Sequence, residues 1–497
     1  MRTLLCLLLF SLGIIAAEAP KTGAYSETFT ERGPFSTPEV FLPRYGIKPE
    51  PALIAHYKAA LAKEPFDIYV PKGYDGSQAY GVISYTSPGD GGGCGYPRLM
   101  DKYRLIWIGA AKVNNDRNSK ERWMLNLDGV FYMQQRYRID PKRIYVSGFS
   151  GGGRCASRVA PVFPDLYTGA IYICGCNPPQ QAEMSTGAAL FAQAKSHRYA
   201  FITGTTDMNL EDTKGVMKQY QSQGFTQVTY LEQPGMGHGM PNDEYFEKAI
   251  MFCDQPLVEA ADLRLKEAAA LEAKKPAEAW RKCIQVLEDY PAALEATAKA
   301  LDKANSLAEA AEAALRGDLE KLVKEGKADK LRTFANSYGR LPCGVAAKVT
   351  ADDLAGKDLD QAVTTGGSGL KAKLEKFIAS WAGFPVQARA QAAYDKLASA
   401  ALAPSLAMPE GAKRCKALAK ILATWQGCPA VQAAWQALDD DLAKQLAAIQ
   451  GIEGSGKRFA ALQAFAQEWS ARPAGSEAQA ACKALIEAAQ AGKTQGK

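Results

Sequence analysis

Long apolar runs, histidine and excess charge are all scarce in this chain, and each scarcity narrows what the protein can be. Past the first nineteen residues no stretch is long and apolar enough to cross a membrane. Only His56, His197 and His238 offer an imidazole in 497 residues, so chemistry that needs one has few candidates. The net charge of +6 is spread over 59 basic and 53 acidic residues, too diffuse to imply a nucleic-acid partner. Cys174-Gly-Cys176 has neither a second pair at zinc-binding spacing nor a neighbouring histidine, so no metal site is expected there. From residue 257 onward β-branched runs are missing, which leaves the second half to helices.

The one apolar run that does occur is at the start. Met1-Arg-Thr precedes an apolar segment over residues 4–15 and then Ala16-Ala17-Glu18-Ala19, the pattern of a secretory signal peptide too short to span a bilayer. Residues 1–17 are therefore expected to be removed, with Ala17 or Ala19 the last residue lost, and the protein exported to a periplasmic or extracellular space. Cys6 sits early in that run and does not read as a lipid-attachment site. Of the ten cysteines that follow, Cys94, Cys155, Cys174, Cys176 and Cys253 fall in one half and Cys283, Cys343, Cys415, Cys428 and Cys482 in the other. Their even number permits full pairing in an oxidising compartment, which would need at least one bridge between halves. Free buried thiols are the open alternative.

Length suggests two to four domains, and the first is organised around Arg143-Ile-Tyr-Val-Ser-Gly-Phe-Ser150-Gly-Gly-Gly-Arg154. A β-branched and aromatic run ends at Gly148 and a helix is expected from Gly151, so Ser150 falls on a strand-to-helix turn of the form G-x-S-x-G. Gly148 and Gly152 lack the Cβ that would stop the turn closing, and the Gly151 N–H points where an oxyanion would form. The surrounding pattern predicts a helix over 52–62 and strands over 66–70, 80–86 and 105–109, the first two as an antiparallel hairpin. Helices over 119–137, 151–162 and 212–221 then alternate with strands over 168–174, 198–203 and 227–231. That alternation predicts an α/β fold, a mostly parallel sheet with helices on both faces and its ligand site at the carboxyl ends of the strands.

Two of those strand ends supply the partners a serine nucleophile needs. Asp207 follows one and His238 the next, giving the order Ser150, Asp207, His238. His238 would take the Ser150 proton and Asp207 would hold the imidazole tautomer. Asp212 is the competing acid, while His56, in a helix, and His197, before a strand, read as structural.

Residues 140–152, Asp140-Pro-Lys-Arg-Ile-Tyr-Val-Ser-Gly-Phe-Ser150-Gly-Gly, together with Gly204-Thr-Thr-Asp207 and Gly237-His238, resemble the α/β-hydrolase superfamily. Over residues 50–254 the chain is most similar to the branch holding polyhydroxybutyrate depolymerases and feruloyl and acetylxylan esterases. The resemblance implies an acyl-enzyme on Ser150, a carboxylic ester substrate such as an acyl or feruloyl ester of a polysaccharide or a polyester, and no metal or organic cofactor. It also exposes a departure. That branch usually carries His-Gly at the end of the third strand, as half of the oxyanion hole, whereas this chain has Thr86-Ser87-Pro88-Gly89-Asp90-Gly-Gly-Gly-Cys94. Pro88 has no N–H, so the second donor is expected from Ser87 or Gly89, beside Gly151. The glycine-rich run reads either as backbone brought close to substrate or as a mobile loop, and lacks the spacing of a phosphate-binding fingerprint. Specificity is expected from residues 89–97 and 177–188.

These patterns divide the chain into a signal peptide over 1–17, a hydrolase domain over 18–256 and helical repeats over 257–497. Trp381, Trp425 and Trp469 stand 44 residues apart, each four residues before a proline, and Tyr338 precedes Pro342 likewise. Each unit of about 44 residues reads as a helix ending at the aromatic residue, a turn often holding glycine (Gly339, Gly383, Gly427), and a second helix starting at proline. The aromatic stripe reads as packing between units in preference to a binding cleft. Gly451-Ile-Glu-Gly-Ser-Gly-Lys457-Arg458 imitates a phosphate-binding loop but has Arg where Ser or Thr is required, and reads as an inter-helix turn. The helical array is expected to position the enzyme on a protein or polysaccharide partner. Two other readings stay open: a serine peptidase of the same superfamily, and a scaffold protein with an inactive hydrolase domain.

Overall fold

A computed structural model describes residues 20–179, 187–425 and 428–494. The signal-peptide stretch, Gly427 and most of the 177–188 segment lie outside these residues.

The local sequence of the first half builds one eight-stranded sheet. Its strands are β1 (Gly23–Phe29), β2 (Glu64–Val70), β3 (Tyr80–Thr86), β4 (Leu105–Ala110), β5 (Ile139–Phe149), β6 (Gly169–Ile173), β7 (Arg198–Gly204) and β8 (Val228–Gln233), arranged β1-β2-β4-β3-β5-β6-β7-β8. β2 runs antiparallel to both β1 and β4, and every pairing from β4 across to β8 is parallel. Side chains alternate between two faces with the period of two that strands impose. Val82, Ile108, Val146, Tyr172 and Phe201 pack on one side with the helices Ser119–Arg136, Gly151–Val159 and Leu210–Ser222. Ile83, Trp107, Tyr145, Ile171 and Ile202 pack on the other with Pro97–Tyr103 and Asp243–Leu271. This is the α/β-hydrolase fold.

The expected hairpin of 66–70 with 80–86 does not form. β3 lies between β4 and β5, parallel to both, while β2 sits outside β4. All seven residues of β3 are buried, which demands a central place covered on both faces, whereas Pro65 and Asp67 of β2 are only partly buried. β1 was not expected either, because its polar alternation, Ser26, Glu27 and Thr28 among it, is that of an edge strand. Asp140 and Pro141 lie at the start of β5, where the register with β3 jumps from Tyr80↔Ile139 to Val82↔Ile144 and a proline need not donate to the ladder.

The chain forms two compact units, the first extending to residue 314 and the second covering residues 315–497. Residue 257 falls inside the unbroken helix Asp243–Leu271, and Pro276–Asp289 packs on that helix, with Lys282 paired to Glu267 across it. In the second unit short and long helices alternate: Ala328–Tyr338 with Pro342–Thr365, Leu370–Ser380 with Pro385–Leu406, Ala412–Leu422 with Pro429–Gln450, and Ser455–Glu468 with Pro473–Thr494. Each long helix starts on proline, whose missing N–H is no loss in a first turn. Trp381, Trp425 and Trp469 are buried, so they serve packing. The turns between partners are tight enough that a Cβ on Gly344 or Gly475 would lie 2.0 Å from the carbonyl oxygen of Tyr338 or Trp469. Residues 451–454 link two helices. No helix among the described residues is long and apolar enough to cross a membrane.

Candidate active site

Ser150 occupies the turn between β5 and the helix Gly151–Val159 with φ 52° and ψ −118°, a left-handed backbone that a residue with a side chain adopts only under constraint. The constraint comes from close backbone packing. A Cβ on Gly148 would lie 2.3 Å from the Gly152 backbone, and one on Gly152 would lie 1.9 Å from the Thr86 carbonyl oxygen. The Ser150 N–H donates to Ile173 O at 2.7 Å, which ties the turn to the end of β6.

The loops after β7 and β8 interlock. Thr206 donates to Met236 O through both its N–H, at 3.1 Å, and its hydroxyl, at 3.0 Å. This brings Asp207 and His238 together over Ser150. His238 Nε2 is 2.9 Å from Ser150 Oγ, and His238 Nδ1 is 2.8 Å from Asp207 Oδ1. Thr203 Oγ1 donates to Asp207 Oδ2 at 2.7 Å and the Asn209 N–H to Oδ1 at 3.0 Å. Burial pushes the Asp207 carboxyl up, but hydrogen bonds from the Asn209 N–H, Cys174, Thr203 and His238 outweigh it and hold the group below the usual carboxylate range. Asp207 is therefore ionised at neutral pH, as an acid that orients an imidazole must be.

No protein-family model and no curated protein matches the chain. Among solved structures it is similar to S-formylglutathione hydrolase FrmB of Staphylococcus aureus, at 12% identity and TM-score 0.32, over 47% of this chain and 96% of that one. Est1E of Butyrivibrio proteoclasticus matches at 14% identity and TM-score 0.29, over 38% of this chain and 92% of that one. A ferulic acid esterase matches at 14% identity and TM-score 0.32, over 47% and 97%. The chemistry therefore rests on this chain's own residues.

The competing candidates are placed elsewhere. Asp212 is half-exposed and paired with Arg154 at 3.0 Å. His56 is exposed, 3.8 Å from Glu121, and the partly buried His197 follows the helix Ala188–Ser196. Gly151 is the first residue of its helix, where N–H groups have no intrahelical acceptor. The Ser87 nitrogen lies against Gly152, 3.2 Å from where its Cβ would be. The Gly89 N–H is 3.2 Å from Ser87 Oγ, within its own turn. The glycine-rich run packs back onto the sheet: a Cβ on Gly92 would lie 2.1 Å from Gly109 O, and Trp107 Nε1 donates to Gly92 O at 2.8 Å.

Three positioning side chains were not expected. Thr203 and Asn209 flank Asp207 closely enough in sequence that a search for donors around the acid would have found them. Cys174, at φ 52°, places Sγ 3.3 Å from Gly239 O and against the Asp207 carboxylate. Cys174, Asp207 and His238 carry donor atoms within 4.8 Å of one another, the one such group able to hold a metal ion among the described residues. Burial pushes the Cys174 thiol up to about 12, and Cys174 and His238 both hydrogen-bond to the Asp207 carboxylate. All ten cysteines from Cys94 to Cys482 are free, nine of them buried.

Beside Ser150 lies a cavity of about 400 Å³, lined by Gly151, Asn115, Trp123, Arg122 and Arg154 among others.

Proposed function

We propose that this chain is an exported serine hydrolase that cleaves carboxylic esters through an acyl-enzyme on Ser150. The observation that carries the reading is the continuous relay Ser150 Oγ, His238, Asp207, with both links between 2.8 and 2.9 Å, seated on a strained strand-to-helix turn. His238 Nε2 accepts the serine proton as Oγ attacks the ester carbonyl, and returns it to the departing alcohol. Water then enters by the same base to free the acid. The Gly151 N–H, with the Ser87 N–H as second donor, stabilises the oxyanion of each tetrahedral intermediate. The apolar N-terminal run and its small-residue exit support export, and the helical second half supports a role in holding the enzyme on a protein or polysaccharide partner.

The test is turnover of short-chain and feruloyl aryl esters, with matched anilides, by wild type and Ser150→Ala. Ester turnover that Ser150→Ala abolishes, together with labelling of wild type by a fluorophosphonate, is the expected result. Faster cleavage of the anilides would favour a peptidase. If the wild type neither turns over substrate nor takes the label, the site is inactive and the reading fails.

A further inference from the structure

The cavity beside Ser150 holds a charge that the triad does not use. Arg122, in the first turn of the helix Ser119–Arg136, is only 4% exposed, yet it lines the same cavity as the nucleophile. Its Nη2 donates to Ser87 O at 3.0 Å, and its Nε has no hydrogen-bond partner among the described residues. No carboxylate among the described residues forms an ion pair with it. Three other arginines in this unit are treated differently. Arg143, equally deep, is gripped by both oxygens of Asp254 at 2.8 and 2.7 Å. Arg117 is paired with Glu64 and Glu121, which also occupies the acid next to Arg122 in sequence. Arg154 faces the cavity too, but Asp212 neutralises it.

A guanidinium taken out of water without a counter-ion is costly, and the cost is recovered when an anion binds. The planar fork of arginine suits a carboxylate, and the interaction is strengthened where water is excluded. Asn115 adds a neutral amide to the same wall: its Oδ1 is 2.0 Å from where a Gly151 Cβ would stand, directly over the start of the helix that follows Ser150.

We propose that this cavity is a carboxylate subsite, with Arg122 as its specificity residue, so that the preferred ester carries a negative charge on the part seated there. The proposal rests on the hydrolase reading for the reaction, but not for the binding. A carboxylate reaching Arg122 belongs either to the acyl group or to the alcohol, and two matched pairs separate these sources. They are 4-nitrophenyl hemisuccinate against 4-nitrophenyl butyrate, and 4-acetoxybenzoate against phenyl acetate.

Wild type is expected to turn over the anionic member of one pair at a kcat/KM tenfold or more above the neutral member. Arg122→Gln, which keeps a donor for Ser87 O without the charge, brings that ratio to one or below, and Arg122→Lys restores part of it. If Arg122 merely holds the Ser87 carbonyl, Arg122→Gln slows both members in proportion and leaves the ratio unchanged, which overturns the proposal. So does a wild-type ratio at or below one in both pairs. Binding is read separately in Ser150→Ala, whose melting temperature should rise with succinate or benzoate and should cease to do so when Arg122→Gln is added. Carboxylate binding without any ester turnover would leave the subsite standing and remove the hydrolase reading. Turnover without a charge preference or carboxylate binding would do the reverse.

Discussion

At the scale of single residues, the proposed relay depends on Asp207 staying ionised while sealed from water. Four donors surround it, from Asn209, Thr203, Cys174 and His238, so replacing the carboxylate by an amide removes the charge and reverses one hydrogen-bond role. Asp207→Asn should fold yet lose about 10⁴-fold in kcat, because an amide lets the imidazole settle in the wrong tautomer; a loss below tenfold in steady-state assays would remove Asp207 from the relay. The same shift has a consequence for stability. A carboxyl held below its unfolded value contributes stability that is present at neutral pH and is lost as pH falls below about 4, through the folded value. Denaturation of the two proteins across pH 7 to pH 2 should show wild type losing more stability than Asp207→Asn. Ser150, Asp207 and His238 were legible in the sequence because each sits beside a strand end marked by glycine or a turn. Arg122 and Cys174 were not. Their significance lies in what faces them across the fold, and nothing in their neighbouring residues announces it.

At the scale of elements, two joints hold the site in place. The first is the contact between the Ser150 turn and the end of β3. Gly152→Ala would drive a methyl group into the Thr86 carbonyl, at 1.9 Å, and that atom belongs to backbone which cannot swing aside. The substitution should cost about 3 kcal/mol or more and remove activity with it, measurable by chemical denaturation alongside ester hydrolysis. A stable, active Gly152→Ala would mean the turn is not packed this way. The second joint ties the helix Asp243–Leu271 to the sheet through Asp254, which binds Arg143 and accepts from Tyr145 at 2.6 Å. Asp254 holds Arg143 in its charged form well above the ordinary range despite burial, so Asp254→Ala strands a buried cation and should lower unfolding free energy by about 3–5 kcal/mol. The failed hairpin belongs at this scale too. The residues between β2 and β3 suit a turn, but a turn does not say which strand comes to lie alongside. Burial of all of β3 decided that.

At the scale of the whole chain, the change of composition near residue 257 and the edge of the first compact unit at residue 314 are different boundaries. A chain ending at 256 would cut the helix Asp243–Leu271 in two and remove Leu257 and Ala261, which are buried in the intact protein. A chain ending at Gly326, after the helix Leu294–Glu325, removes no buried residue of that unit. The longer fragment should hydrolyse small aryl esters within about threefold of the full-length rate while the shorter one aggregates or melts early; equal melting temperatures for the two would place the boundary where the composition changes.

The sequence by itself determined the nature of most elements and the order of the candidate catalytic groups. Strand and helix periodicity, proline at helix starts and glycine in the Ser150 turn are local properties, set by backbone sterics and by which face must avoid water. Only the tertiary structure decided the strand order, the contact of the glycine-rich run with Gly109, and the isolation of the Arg122 charge. Each of those depends on distances between residues far apart in the chain, and they become fixed only when burial and the matching of buried polar groups are satisfied together.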